Sequence, residues 1–92
     1  MFLNIEFNKS AFKHKITEDN IRYALKYPLH EQLLDLYINK WLMIGYDSSG
    51  NLIEVAYNVI DDDNVNVFYA MPCRKKFLNQ LDFIGEENGQ NV

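Results

Sequence analysis

Two short basic clusters carry the residues best suited to chemistry: Lys13-His14-Lys15 near the start of the chain and Arg74-Lys75-Lys76 near its end. Cleaving RNA without a metal takes a base for the 2′-hydroxyl proton, an acid for the departing 5′-oxygen and cations over the charged phosphorane. Histidine, lysine and arginine supply those roles. Taken locally, each cluster also reads as a solvated charged segment, so the chemistry depends on the fold bringing the two together. Other catalytic signatures are missing: the sequence has no glycine-rich phosphate loop, no paired histidines at helical spacing and no serine nucleophile elbow. His30, beside Glu31 after a proline turn, reads as a surface residue. Asp61-Asp62-Asp63 reads as a charged turn, because it lacks the ligand spacing of a calcium loop. No metal and no cofactor are expected. Phe68, Tyr69, Tyr57, Tyr46 and Trp41 read first as core or cross-strand residues and second as a surface on which bases stack.

The elements that position these groups must come from one small domain. The chain has 92 residues, 48% hydrophobic and 24% charged, which is globular composition and leaves no room for a second lobe. The formal charge of −4 argues against bulk electrostatic coating of nucleic acid. The charge is unevenly spread. Residues 1–26 hold five bases and three acids, residues 27–72 set Lys40 against seven acids, and residues 73–92 balance. A cationic surface must therefore be assembled from the two ends of the chain. Cys73 is the single cysteine, which excludes an intramolecular disulfide; it reads as a small, half-buried hydrophobe. The N-terminus shows no basic segment followed by a long apolar run, so neither export nor a membrane span is expected and a cytoplasmic setting is.

Alternation over Phe2–Phe7 predicts a half-buried edge strand, and Asn8 or Ser10 is placed to cap a short helical turn through Ala11, Phe12 and Lys13. Thr17 before Glu18 and Asp19 predicts a helix start. Ile21, Ala24 and Leu25 form its buried face, and Pro28 ends it at Tyr27. Leu29 to Asn39 fits either a short amphipathic helix or an extended run, and a connector with partial order is expected there. Trp41–Tyr46 is apolar on both sides, as in a central strand. The Asp47-Ser48-Ser49-Gly50 turn, a strand over Leu52–Ile60 and another over Val65–Ala70 complete an antiparallel meander. Pro72 suits the first turn of a closing helix over Arg74–Asp82, with Phe77, Leu78 and Leu81 inward. Residues 85–92 are expected to fray. The fold class is thus α+β: one domain over residues 1–84, with an N-terminal strand and helices on a mostly antiparallel three- to four-stranded meander and a closing C-terminal helix.

Two stretches together resemble a family. Lys13-His14-Lys15-Ile16-Thr17 is similar to the Lys-His-Gly-Val-Ser/Thr segment that opens the first main helix of BrnT-like toxins, small bacterial proteins of type II toxin–antitoxin systems. Lys40–Asp47, Gly50–Tyr57 and Val67–Leu78 follow that family's hairpin, last strand and closing basic helix. The Ala70-Met71-Pro72-Cys73-Arg74 segment looks closest to a divergent branch whose last strand ends His-Ala-Met-Pro-Ala-Arg. The resemblance implies a fold similar to the RelE ribonuclease toxins, metal-independent cleavage of RNA and neutralisation by an antitoxin protein. Carried over by position, it implies catalytic roles for His14, Arg74 and Lys13 and RNA-binding roles for Lys40, Lys75 and Lys76. Lys15 stands where the family has glycine, Tyr69 where the divergent branch has histidine, and Met71 where typical members have arginine. The alternatives are a non-catalytic interaction module of the same fold, docking a partner through a strand edge or residues 29–39, and a homodimer that buries Leu33, Leu36 and Ile38.

Overall fold

Residues 4–78 are described by a computed structural model. In chain order they form β1 (Asn4–Phe7), a 3-10 helix (Lys9–Phe12), α1 (Glu18–Lys26), β2 (Pro28–Asp35), β3 (Lys40–Tyr46), β4 (Leu52–Val59) and β5 (Asn64–Pro72). Helix α1 begins where its cap is written. The Thr17 hydroxyl accepts the Asn20 N–H at 3.2 Å, Glu18 and Asp19 sit at the positive end of the helix dipole, and Lys26 lies at the negative end. The 3-10 helix follows Asn8, but neither expected side chain caps it: Asn8 makes no cap bond, and the Ser10 hydroxyl donates to the Phe68 carbonyl at 2.6 Å instead. That bond ties the segment carrying Lys13 and His14 to β5.

The sheet has five strands in the order β1-β5-β4-β3-β2, with β1 parallel to β5 and the other pairings antiparallel. The expected meander is β3-β4-β5, and β1 is an edge strand as its alternation predicted. Two features differ from expectation. The segment expected to be a partly ordered connector is strand β2, paired with β3 along its length. Its alternation is broken by irregularities between Pro28 and His30 and between Leu33 and Asp35, which is why the period looked ambiguous. The sheet is accordingly wider than three or four strands. Pro72 closes β5 rather than opening a helix, and the helical turn begins at residues 75–78. The remainder of the expected helix, Leu81 and Asp82 included, and residues 85–92 lie outside the described residues.

One face of the sheet carries the main core. Ile21, Ala24 and Leu25 of α1 pack against Met43, Val55, Val65, Val67 and Ala70, a burial that supplies roughly 1.5–3 kcal/mol for each large side chain. Gly45 lies where α1 crosses β3, and a Cβ there would meet the Ala24 carbonyl oxygen at 3.2 Å. The β3–β4 turn is fixed from two sides. Asp47 accepts the backbone N–H groups of Ser49 and Asn51, and Asn20 of α1 accepts both the N–H and the hydroxyl of Ser48. Gly50 takes φ +84°, as the turn requires. Leu42, Ile44, Glu54 and Ala56 point to the opposite face and are buried as well, so β3 and β4 are covered on both sides.

Candidate functional site

A bulge in β5 builds the site. Ala56 pairs with Tyr69 and Tyr57 with Val67, which leaves Phe68 as the extra residue. Val67 and Ala70 both stay in the core, so Phe68 and Tyr69 turn together onto the opposite face. There they wall a shallow cleft of about 170 Å³, closed by Leu34, Leu42, Ala56 and Phe77, with Lys40 and Arg74 as its cations.

Glu54 organises this cleft from below. Its side chain is 0% exposed, and every bond it accepts reaches toward the site. Oε1 accepts the Arg74 backbone N–H at 2.8 Å and Nε at 3.0 Å. Oε2 accepts Arg74 Nη2 at 2.8 Å and the Tyr69 hydroxyl at 3.0 Å. Burial alone would raise the Glu54 carboxyl; the bonds from the Arg74 side chain and backbone and from Tyr69 outweigh it and hold the group below its ordinary value. Glu54 is therefore an ionised anchor and cannot donate a proton. Arg74, bonded to it, is held above its ordinary value, and its side chain stays 42% exposed at the cleft. Burial, helped by the Glu54 bond, pushes the Tyr69 phenol up to about 12, so it remains protonated near neutral pH.

His14 and Arg74, from opposite ends of the sequence, meet at the Tyr69 ring. The His14 ring stands edge-on to it with centroids 6.0 Å apart, and the Arg74 guanidinium carbon lies 5.7 Å from its centroid. Lys40 Nζ lies 5.2 Å from the Phe68 ring centroid, on the adjoining wall. Arg74 also packs on Phe77 at 4.9 Å, and Lys76 does so at 5.0 Å. Lys13 is exposed beside His14, at the end of the 3-10 helix, and Lys75 is exposed in the turn that follows Arg74. The fold thus brings Arg74 and Lys40 into one cleft and sets His14 against the Tyr69 ring that walls it, with Lys76 at the Phe77 rim, while Lys13 and Lys75 are placed only by their sequence neighbours. Lys15 has φ +65°, the left-handed region that favours glycine.

Glu54 was missed from sequence because an acid in an alternating strand reads as solvent-facing. The signal was available: β3 is apolar on both sides, so its neighbour's acid had to be buried and paired with a cation. Cys73 is half-buried. Burial and then Glu54 push its thiol up, against the downward pull of Arg74, which gives no reactive thiolate. The turn at Asp61 is a charged loop in which one carboxylate accepts the Asp63 and Asn64 backbone N–H groups. Among the described residues no group of three or more histidine, cysteine or acidic side chains could hold a metal, and no helix is long and apolar enough to cross a membrane. No protein-family model, curated protein or solved structure matches this chain.

Proposed function

We propose that the protein is a metal-independent endoribonuclease of the BrnT-like, RelE-related toxin type, working at the cleft between β5 and β3 and neutralised by an antitoxin protein. The observation that carries this reading is the meeting of His14 and Arg74 at the Tyr69 ring, which walls a cleft that Arg74 shares with Lys40. Single-stranded RNA offers stacked bases and a phosphate charge, and a cleft walled by Phe68, Tyr69 and Phe77 with two cations suits both. In the reaction, the His14 imidazole takes the 2′-hydroxyl proton and the 2′-oxygen attacks phosphorus. Arg74 and Lys40 stabilise the phosphorane, and the Lys13 ammonium protonates the departing 5′-oxygen, leaving a 2′,3′-cyclic phosphate. Exchange with water resets both groups. The left-handed backbone at Lys15 supports the same family reading, since it occupies the glycine position of the motif.

Induction of the chain alone in bacteria tests the proposal. Growth arrest with RNA breakdown is expected, relieved by His14→Ala and by Arg74→Ala and insensitive to chelators in vitro. Harmless expression with intact RNA rejects it. A second reading, a non-catalytic interaction module of the same fold, is favoured by one observation: Glu54 already occupies the Nε and Nη2 edge of Arg74. Its mark is tight binding of a protein partner without RNA cleavage.

A further inference from the structure

The outer side of β2 is the longest strand edge left unpaired among the described residues. Pro28–Asp35 bonds to β3 on one side only, whereas the opposite edge of the sheet, β1, has four residues. Leu29, Leu33, Leu36, Tyr37 and Ile38 stand exposed along this edge and its turn, Leu36 at 74% and Tyr37 at 98%. Sheet edges are ordinarily protected by lysine, proline or a bulge. Here Pro28 and the irregularities guard the ends, and the middle, Glu31-Gln32-Leu33, pairs regularly with β3 and carries no positive charge.

In the β2–β3 register Lys40 stands opposite Asp35, whereas Glu31 stands opposite Met43 and its carboxylate accepts the Tyr57 hydroxyl at 3.4 Å. From Tyr27 to Asn39 the chain holds Glu31 and Asp35 and neither lysine nor arginine. The Val59 N–H donates to the Asn39 carbonyl at 2.9 Å, which sets the β2–β3 turn beside the end of β4, one residue before the Ile60 to Asp63 turn. Inside the edge, on the α1 side of the sheet, lies a cleft of about 280 Å³ lined by Glu31, Asn39, Trp41, Tyr57 and Val59. An indole wall next to a carboxylate suits an ammonium or guanidinium head with its aliphatic stem. An antiparallel self-pairing centred on Leu33, the apolar middle of the edge, would set Glu31 of each copy against Asp35 of the other, which like charges oppose.

We propose that a partner protein adds an extended, apolar segment bearing lysine or arginine to the outer edge of β2 as a sixth strand, with one cationic side chain entering the Glu31–Trp41 cleft. Main-chain bonds supply the affinity, and Glu31 with its aromatic neighbour selects the charge. This interface is independent of RNA cleavage and stands or falls without it.

The probe is a pair of synthetic peptides, one alternating valine with lysine and the other valine with glutamate, each titrated into the full chain and followed by amide and indole NMR. The lysine peptide is expected to shift the amides of Glu31, Gln32 and Leu33 and the Trp41 indole while leaving β1 unmoved. The glutamate peptide is expected not to bind. Glu31→Lys should weaken the lysine peptide about tenfold, and Leu33→Lys should do the same with an unchanged circular dichroism spectrum. Lysine-peptide shifts confined to the Asp61–Asp63 turn, equal binding of both peptides, or no binding would overturn the proposal. So would self-association through β2, seen as a sedimenting dimer that Leu33→Lys dissociates, since the edge would then serve a second copy.

Discussion

Arg74 is both a surface cation and half of a buried ion pair, and the two roles make opposite demands. Its Nε and Nη2 face Glu54, which has no contact with water, while the rest of the side chain stays open to the cleft. Removing the guanidinium leaves a buried carboxylate with the Tyr69 hydroxyl as its remaining side-chain donor. Arg74→Met is therefore expected to destabilise the fold by about 2 kcal/mol, below the range for a fully buried pair because the arginine keeps water on one side. Urea denaturation measures it. The same anchor sets a pH dependence. The folded-state Glu54 carboxyl lies below its unfolded value of 4.5, so the unfolded chain binds the extra proton, and stability present above that pH is lost as pH falls through the folded value. Thermal unfolding from about pH 6 down to about pH 3 should show a steeper loss for wild type than for Glu54→Gln.

At the scale of elements, two backbone positions decide how the parts meet. Lys15 pays for left-handed geometry at the junction between the His14 segment and α1, so Lys15→Gly should stabilise by about 1 kcal/mol, read as a higher melting temperature. Gly45 permits the close crossing of α1 over β3. Gly45→Ala should cost about 1–3 kcal/mol, because the new methyl meets the Ala24 carbonyl and the Met43 sulfur, each at 3.2 Å. What the sequence made legible follows the same local logic. The Thr17 cap, the face of Ile21, Ala24 and Leu25, the Gly50 turn and the apolar strands β3 to β5 are each written within a few residues. Strand β2 was not legible, because two irregularities in eight residues break the period of two that marks a strand. The bulge at Phe68 was equally hidden. It becomes visible only when Val67 and Ala70 are both found in the core, and that depends on strands distant in sequence. For Glu54 the apolar β3 beside it gives away the burial but not the partners, which lie on the next strand and just beyond it.

Taken as a whole, the molecule sets Lys40 and Arg74 in the cleft opposite α1 with Lys76 at its Phe77 rim, and carries Glu31, Asp35 and the Asp61–Asp63 turn on β2 and beyond β4. A single strand of RNA held mainly by Lys40, Arg74 and Lys76 should bind with a log–log salt slope of about −2, and Lys40→Ala should reduce that slope by about 0.7, measured by fluorescence anisotropy on an oligouridylate. The parallel pairing of β1 with β5 has a further effect on when this surface exists. Asn4–Phe7 leaves the ribosome early but finds its partner only in residues 64–67, and His14 meets Tyr69 and Arg74 later still. Until that last strand emerges the nascent chain has no cleft to offer, so the surface matures only once residues 64–77 have been made and paired.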